Sequence, residues 1–117
     1  MKEDPRVVLI VEDEVIVAMD LKLQAEDAGW QVLGPVGTIA EAQAVVADHQ
    51  PDCALLDVNL VDENSFELAE GLRRRGTRVV FLTGLAASDI PDEMRELPVV
   101  EKPVRYADLM IALSEPG

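Results

Sequence analysis

Five short apolar runs rich in β-branched residues recur along the chain, and a helix-like segment follows each one. That alternation is the strongest constraint on the fold. Arg6–Val11 reads RVVLIV between Pro5 and an acidic turn, and predicts a buried strand. Asp13–Ala28, rich in Ala, Leu and Met, predicts a helix stopped by Gly29. A second strand is expected over Trp30–Val36. Thr38, with Glu41 three residues on, has capping-box spacing, and the helix it opens should end before Pro51. Cys53–Leu56 forms the third strand and ends on Asp57. The loop Val58–Ser65 leads to a helix over Phe66–Arg75, closed by Gly76, whose Arg73, Arg74 and Arg75 suit the helix dipole. Arg78–Leu82 is the fourth strand, ending at Thr83 and Gly84. A short helix is expected over Asp89–Glu96, with Pro91 in its first turn. The fifth strand, Pro98–Val100, ends at Glu101, Lys102 and Pro103. The last helix, Arg105–Leu113, places Tyr106, Leu109, Met110 and Leu113 on one face.

Strands separated by helices, with short connections, predict an α/β fold: a five-stranded parallel sheet, doubly wound, with helices on both faces. Right-handed crossovers favour the strand order 2-1-3-4-5. In that order strands 1 and 3 are neighbours where the winding reverses, and a ligand site belongs just beyond their C-terminal ends. Aromatic residues make up only 3% of the chain, so the core must be built from Val, Leu, Ile and Ala, which suits a sheet covered on both faces. A length of 117 residues fits one domain, 1–117, with no output domain beside it.

Charge narrows the function classes. Asp and Glu number 23 against 10 Lys and Arg, a formal net charge of −13, and such a surface repels nucleic acid and anionic membranes. The single cysteine, Cys53, excludes an internal disulfide and agrees with a reducing compartment. No apolar run is long enough to span a membrane, and Met1–Pro5 is polar and acidic, unlike a signal peptide. The expectation is a cytoplasmic protein, monomeric or weakly dimeric.

The strand ends carry the chemistry. Glu12, Asp13 and Glu14 follow strand 1, Asp57 follows strand 3, Thr83 follows strand 4 and Lys102 follows strand 5. The predicted topology brings all of them to one rim. Carboxylates ~5 Å apart at an effective dielectric near ~20 repel by roughly 3 kcal/mol per pair, so a compensating charge is needed. Lys102 offsets one charge; a hard divalent cation held by oxygen ligands, Mg²⁺ or Mn²⁺, would offset more. A carboxylate beside a cation, with an ammonium and a hydroxyl opposite, suits phosphoryl transfer, and Asp57 is central enough to be the acceptor.

Taken together, VEDE (Val11–Glu14), LLDVNL (Leu55–Leu60), FLTG (Phe81–Gly84) and EKP (Glu101–Pro103) resemble the receiver domain of two-component response regulators, in order and across essentially the whole chain. The resemblance implies a flavodoxin-like fold with Asp57 as phosphoacceptor. It implies Mg²⁺ bound by Asp13, Asp57 and the backbone carbonyl of Asn59, with Glu12 acting through water. Thr83 would bind a phosphoryl oxygen, Lys102 would pair with the phosphoryl charge, and the Lys102–Pro103 bond would be cis. The phosphodonor would be a histidine kinase or a histidine phosphotransfer protein, and the readout binding of a downstream protein. Asn59 and Leu85 would help set the acyl-phosphate lifetime. Such a domain is a signalling switch with at most its own phosphotransfer and dephosphorylation, not a stand-alone enzyme. The Phe-x-Thr-Gly stretch is similar to a subgroup often found as stand-alone receivers. Two positions depart from the family: Val99 stands where an aromatic switch residue is usual, and Arg105 stands where a Ser or Asp cap is expected.

Each feature has a plainer reading. Glu12–Glu14 alone is a solvated acidic turn, Asp57 a strand-ending turn former, Thr83 a turn residue and Lys102 half of a surface ion pair. His49 reads as solvated, Cys53 as core, and the Tyr106 stripe mostly as core. The combination favours the receiver over a never-phosphorylated pseudo-receiver interaction module. A hydrolase of the haloacid-dehalogenase type needs Asp-x-Asp after strand 1 and a longer chain. A flavodoxin-like cofactor binder needs a Ser/Thr/Gly phosphate loop where this chain has three acids.

Overall fold

Apolar runs without alternation become central strands, and the computed structural model, which describes residues 6–60, 63–84 and 90–114, shows that arrangement. The elements are β1 (Val7–Val11), α1 (Val15–Asp27), β2 (Gln31–Val36), α2 (Ile39–Asp48) and β3 (Cys53–Asp57). They continue with β4 (Asn59–Leu60), β5 (Glu63–Asn64), α3 (Phe66–Arg74), β6 (Arg78–Thr83), a 3₁₀ turn (Asp92–Met94), β7 (Val99–Glu101) and α4 (Tyr106–Ser114). The main sheet is five-stranded and parallel in the order β2-β1-β3-β6-β7, which is the expected 2-1-3-4-5. One face of the sheet buries Leu9, Val11, Ala54, Leu56 and Phe81 against α2 and α3. The other buries Val8, Ile10, Leu55, Val80 and Leu82 against α1 and α4. Successive residues of each central strand thus feed opposite cores, which is why β1 and β3 read as unbroken apolar runs.

Three expectations change in detail. The segment Val58–Ser65 is not a plain loop: Asn59 pairs with Asn64 and Leu60 with Glu63 in a small antiparallel hairpin. The helix expected over Asp89–Glu96 is a single 3₁₀ turn at Asp92–Met94; Pro91 at its start has ψ 148, an extended conformation that a longer helix cannot run through. Asp89 lies outside the described residues, as do Leu85, Met1–Pro5 and Pro116-Gly117. Strand β2 holds one extra residue: Leu9 pairs with Leu33 but Val11 with Val36. Gly34, at φ +93, makes that irregularity possible, since a Cβ there would sit 2.8 Å from the Val36 nitrogen. The kink lets Glu12 donate its N–H to the Val36 carbonyl at 2.9 Å, anchoring the acidic turn over the sheet.

Local signals elsewhere act as expected. Thr38 Oγ1 accepts the Glu41 N–H at 3.1 Å, while the Glu41 carboxylate reaches back to the Gly37 N–H at 3.0 Å, one residue before the usual partner. Arg73 and Arg74 pair with Glu70 on α3, and Arg75 donates to the His49 carbonyl. On α4, Leu109 and Leu113 are buried, whereas Tyr106 is 48% exposed. Helix α1 buries only Ala18, Leu21 and Ala25, leaving Val15, Ile16, Met19 and Leu23 exposed on its outer side. No helix among the described residues is long and apolar enough to cross a membrane.

Candidate functional site

Parallel strands end together, so the residues that follow them share one mouth. Asp57 is the last residue of β3, with a side chain 6% exposed. Glu12 follows β1 and its side chain is fully buried. Lys102 follows β7 and reaches across the mouth. Its Nζ lies 2.7 Å from Glu12 Oε1, 3.1 Å from Asp57 Oδ2 and 3.2 Å from Glu14 Oε1. One ammonium therefore serves three carboxylates. The backbone holds it there: the Lys102 N–H bonds to the Thr83 carbonyl at 2.9 Å, and the Lys102–Pro103 peptide is cis, as the resemblance implied.

Asp57 is fixed from its other side as well. Its Oδ1 accepts the Asn59 N–H at 3.2 Å, and the next N–H, of Val58, bonds to the Leu82 carbonyl on β6. Thr83 is the buried last residue of β6, one register step from Leu82, the partner of Asp57. Asp13 is half-buried, with Gly37 of the β2–α2 connection against its backbone. Every predicted site residue thus stands at this mouth. Asn59 contributes its N–H to Asp57, a contact that sequence reasoning did not foresee. Glu14, read only as one of three acids, is the third partner of Lys102; its position between a strand end and a helix start was the available signal.

The electrostatics are strained toward excess negative charge. Burial raises the Glu12 carboxyl to about pKa 7, against the lowering pull of Lys102 and the Glu14 N–H. Burial works against the Lys102 ammonium, but Glu12 and Asp57 outweigh it and hold Lys102 above its ordinary value. Glu12 Oε1 lies 2.7 Å from the Lys102 ammonium, an ion pair without good hydrogen-bond direction. One carboxylate oxygen each from Glu12, Asp13 and Asp57 lie within 4.8 Å of one another. An all-oxygen donor set with three carboxylates beside a single ammonium fits a hard divalent cation, and Asp13, Asp57 and Glu12 could hold one.

Known proteins share this fold. The family "Response regulator receiver domain" matches residues 8–114. The solution structure of SdrG from Sphingomonas melonis Fr1 is 37% identical and superposes with a TM-score of 0.84 over 97% of each chain. SdrG in its BeF₃-activated conformation is 36% identical, with a TM-score of 0.79 over 92% of each chain. Among curated relatives, the transcriptional regulatory protein PdtaR of Mycobacterium tuberculosis is 29% identical over 93% of this chain and 55% of its own length. The chain spans about half the length of the curated relatives it matches. With the fold, the acidic mouth and the family match in agreement, the chain belongs to the response regulator receiver domains.

Proposed function

We propose that this receiver accepts a phosphoryl group on Asp57 from the phosphohistidine of a histidine kinase or histidine phosphotransfer protein, and signals by altered binding of a downstream protein. The observation that carries the reading is Asp57 itself, a buried carboxylate held at 3.1 Å by Lys102 and beside acids that need a cation. Asp57 is the nucleophile: one carboxylate oxygen forms the bond to phosphorus as the phosphorus–nitrogen bond of the donor breaks and the imidazole leaves. The Lys102 ammonium pairs with the incoming phosphoryl oxygens, and the Thr83 hydroxyl donates to one of them. Asp13, Asp57 and the Asn59 carbonyl would hold Mg²⁺ or Mn²⁺, with Glu12 acting through water. When bound, that cation neutralises charge on the transferring group. The donor approaches over the exposed apolar side of α1, which begins one residue after Glu14.

Incubation with Mg²⁺ and a small-molecule phosphodonor, followed by intact mass, tests this. One added phosphoryl group is expected, and none in Asp57→Asn. No adduct on the wild type, or one retained by the variant, overturns the assignment. The reading is supported by the BeF₃-activated conformation known for the relative SdrG.

A further inference from the structure

Helix α3 carries a glycine where nothing inside the chain requires one. Gly71 lies in the interior of Phe66–Arg74, and glycine is a poor helix former. A Cβ built there would meet no atom within 4 Å, so no neighbouring element packs too close for a side chain. The missing side chain instead leaves an open groove of about 190 Å³ between α2 and α3. Val46, Leu68 and Leu72 floor it, and Glu67, Gly71 and Arg75 line it in one row, a turn apart. Glu67 and Arg75 are exposed, opposite in charge, and about 6 Å along the axis to either side of Gly71. Among the described residues neither has an ion-pair partner, although Arg73 and Arg74 both pair with Glu70. Arg75 is nonetheless held in place: its Nη2 donates to the His49 carbonyl at 3.2 Å and to Gln50 Oε1 at 3.0 Å.

A row that runs acid, glycine, base is complementary to itself when reversed. Two such helices laid antiparallel about a two-fold axis at Gly71 set Glu67 of each against Arg75 of the other, twice. With no side chain at the crossing, the axes can approach to the near end of the usual ~8–10 Å range, which brings those charges into reach. Charge also singles out this helix. Helices α1, α2 and α4 each carry more acids than bases, whereas α3 with its C-cap sets Arg73, Arg74 and Arg75 against Glu67 and Glu70. On a chain of net charge −13, it is the one described α-helix where two copies can meet without a surplus of like charge. Placement to suit the helix dipole accounts for Glu67 and Arg75 but not for the glycine midway between them. We propose that two copies of this chain associate through a two-fold α3–α3 contact centred on Gly71, with Glu67 of each protomer paired to Arg75 of the other. The contact is independent of phosphorylation at Asp57.

The test is sedimentation velocity of the full chain over a concentration series reaching about 1 mM, since a contact between single helices lies at the small, weak end of specific interfaces. A monomer–dimer equilibrium is expected, with concentration-dependent amide NMR shifts confined to residues 43–50 and 66–75. Gly71→Gln puts a side chain into the crossing and should weaken association by about tenfold or more, while a thermal melt shows stability kept or raised. Glu67→Arg and Arg75→Glu should each do the same alone, and an equal mixture of the two should recover dimer, because each then meets its opposite charge. If Arg75→Glu does not fold, Gly71→Gln and Glu67→Arg keep the test decisive. A chain that stays monomeric throughout, a dimer unmoved by Gly71→Gln or Glu67→Arg, folded charge-reversed variants that fail to recover dimer on mixing, or shifts centred on another face overturns the proposal.

Discussion

The central strands β1, β3 and β6 are buried from their middles to their C-terminal ends, yet their bodies and their C-terminal mouths are built on opposite terms. In the body, Val8, Leu9, Ile10, Leu55 and Phe81 are fully buried among apolar neighbours. At the mouth, Glu12, Asp57 and Thr83 are 2%, 4% and 3% exposed, and three carboxylates share the ammonium of Lys102. Burial is the same; satisfaction is not. The body is optimised for stability, whereas the mouth keeps surplus charge that only a cation or a changed protonation state relieves.

The largest effect expected from this contrast belongs to the body. Phe81 is fully buried and meets Phe66 edge to face, with ring centroids 5.8 Å apart. Phe81→Ala should cost about 3–5 kcal/mol of unfolding free energy in urea titrations, with or without Mg²⁺. A loss that Mg²⁺ largely reverses would break the division between the two regions. Next comes the mouth's only cation among the described residues. Lys102→Met strands Glu12 and Asp57 without compensation and should destabilise the cation-free protein by about 2–3 kcal/mol. Millimolar Mg²⁺ should restore most of that in a thermal melt, since the ion binds only the folded site. A melting temperature indifferent to Mg²⁺ in both proteins would remove the cation from the account.

The body and the mouth also differ in how they can be read from residues alone. Unbroken runs such as Val7–Val11 and Cys53–Leu56 declare strands buried on both faces, and the right-handed crossover rule then orders them. That order places Asp13, Asp57, Thr83 and Lys102 at one rim before any coordinate is known. The reach of Lys102 to Glu14 depends on side-chain path and turn geometry, which spacing does not encode. The β4–β5 hairpin is held by two residue pairs, too few for periodicity to register. At Asp92–Met94 local polarity suggests a helix, but the extended Pro91 and the short span to β7 leave room for one turn. The extra residue of β2 was signalled only by Gly34-Pro35 inside an otherwise strand-like run.

A smaller effect should appear on titration. Burial lifts Glu12 from 4.5 to about 7, so the native state keeps its proton in a range where the unfolded chain has released it. The sign follows: this contribution is complete below pH 4.5 and is lost as pH rises through about 7. The cation-free protein should lose stability across that window, by up to about 3 kcal/mol, and Glu12→Gln should flatten the slope. Saturating Mg²⁺ should flatten it too, because the ion favours the ionised carboxylate. Stability that rises through the window in the wild type but not in Glu12→Gln would reverse the assigned cause.

The smallest effect tests where the mouth ends. Thr38 caps α2 on the same side of the sheet, next to Gly37, which packs on Asp13. Its hydroxyl oxygen accepts the Glu41 N–H at 3.1 Å, an ordinary helix cap. Thr38→Ala should therefore cost about 1 kcal/mol, the ordinary value of a lost N-cap. The same loss is expected in the presence and absence of Mg²⁺, measured as paired urea titrations. If the loss doubles when Mg²⁺ is bound, the β2–α2 turn helps hold Asp13 for the cation, and the charged region extends one loop further than the contacts of Lys102 mark out.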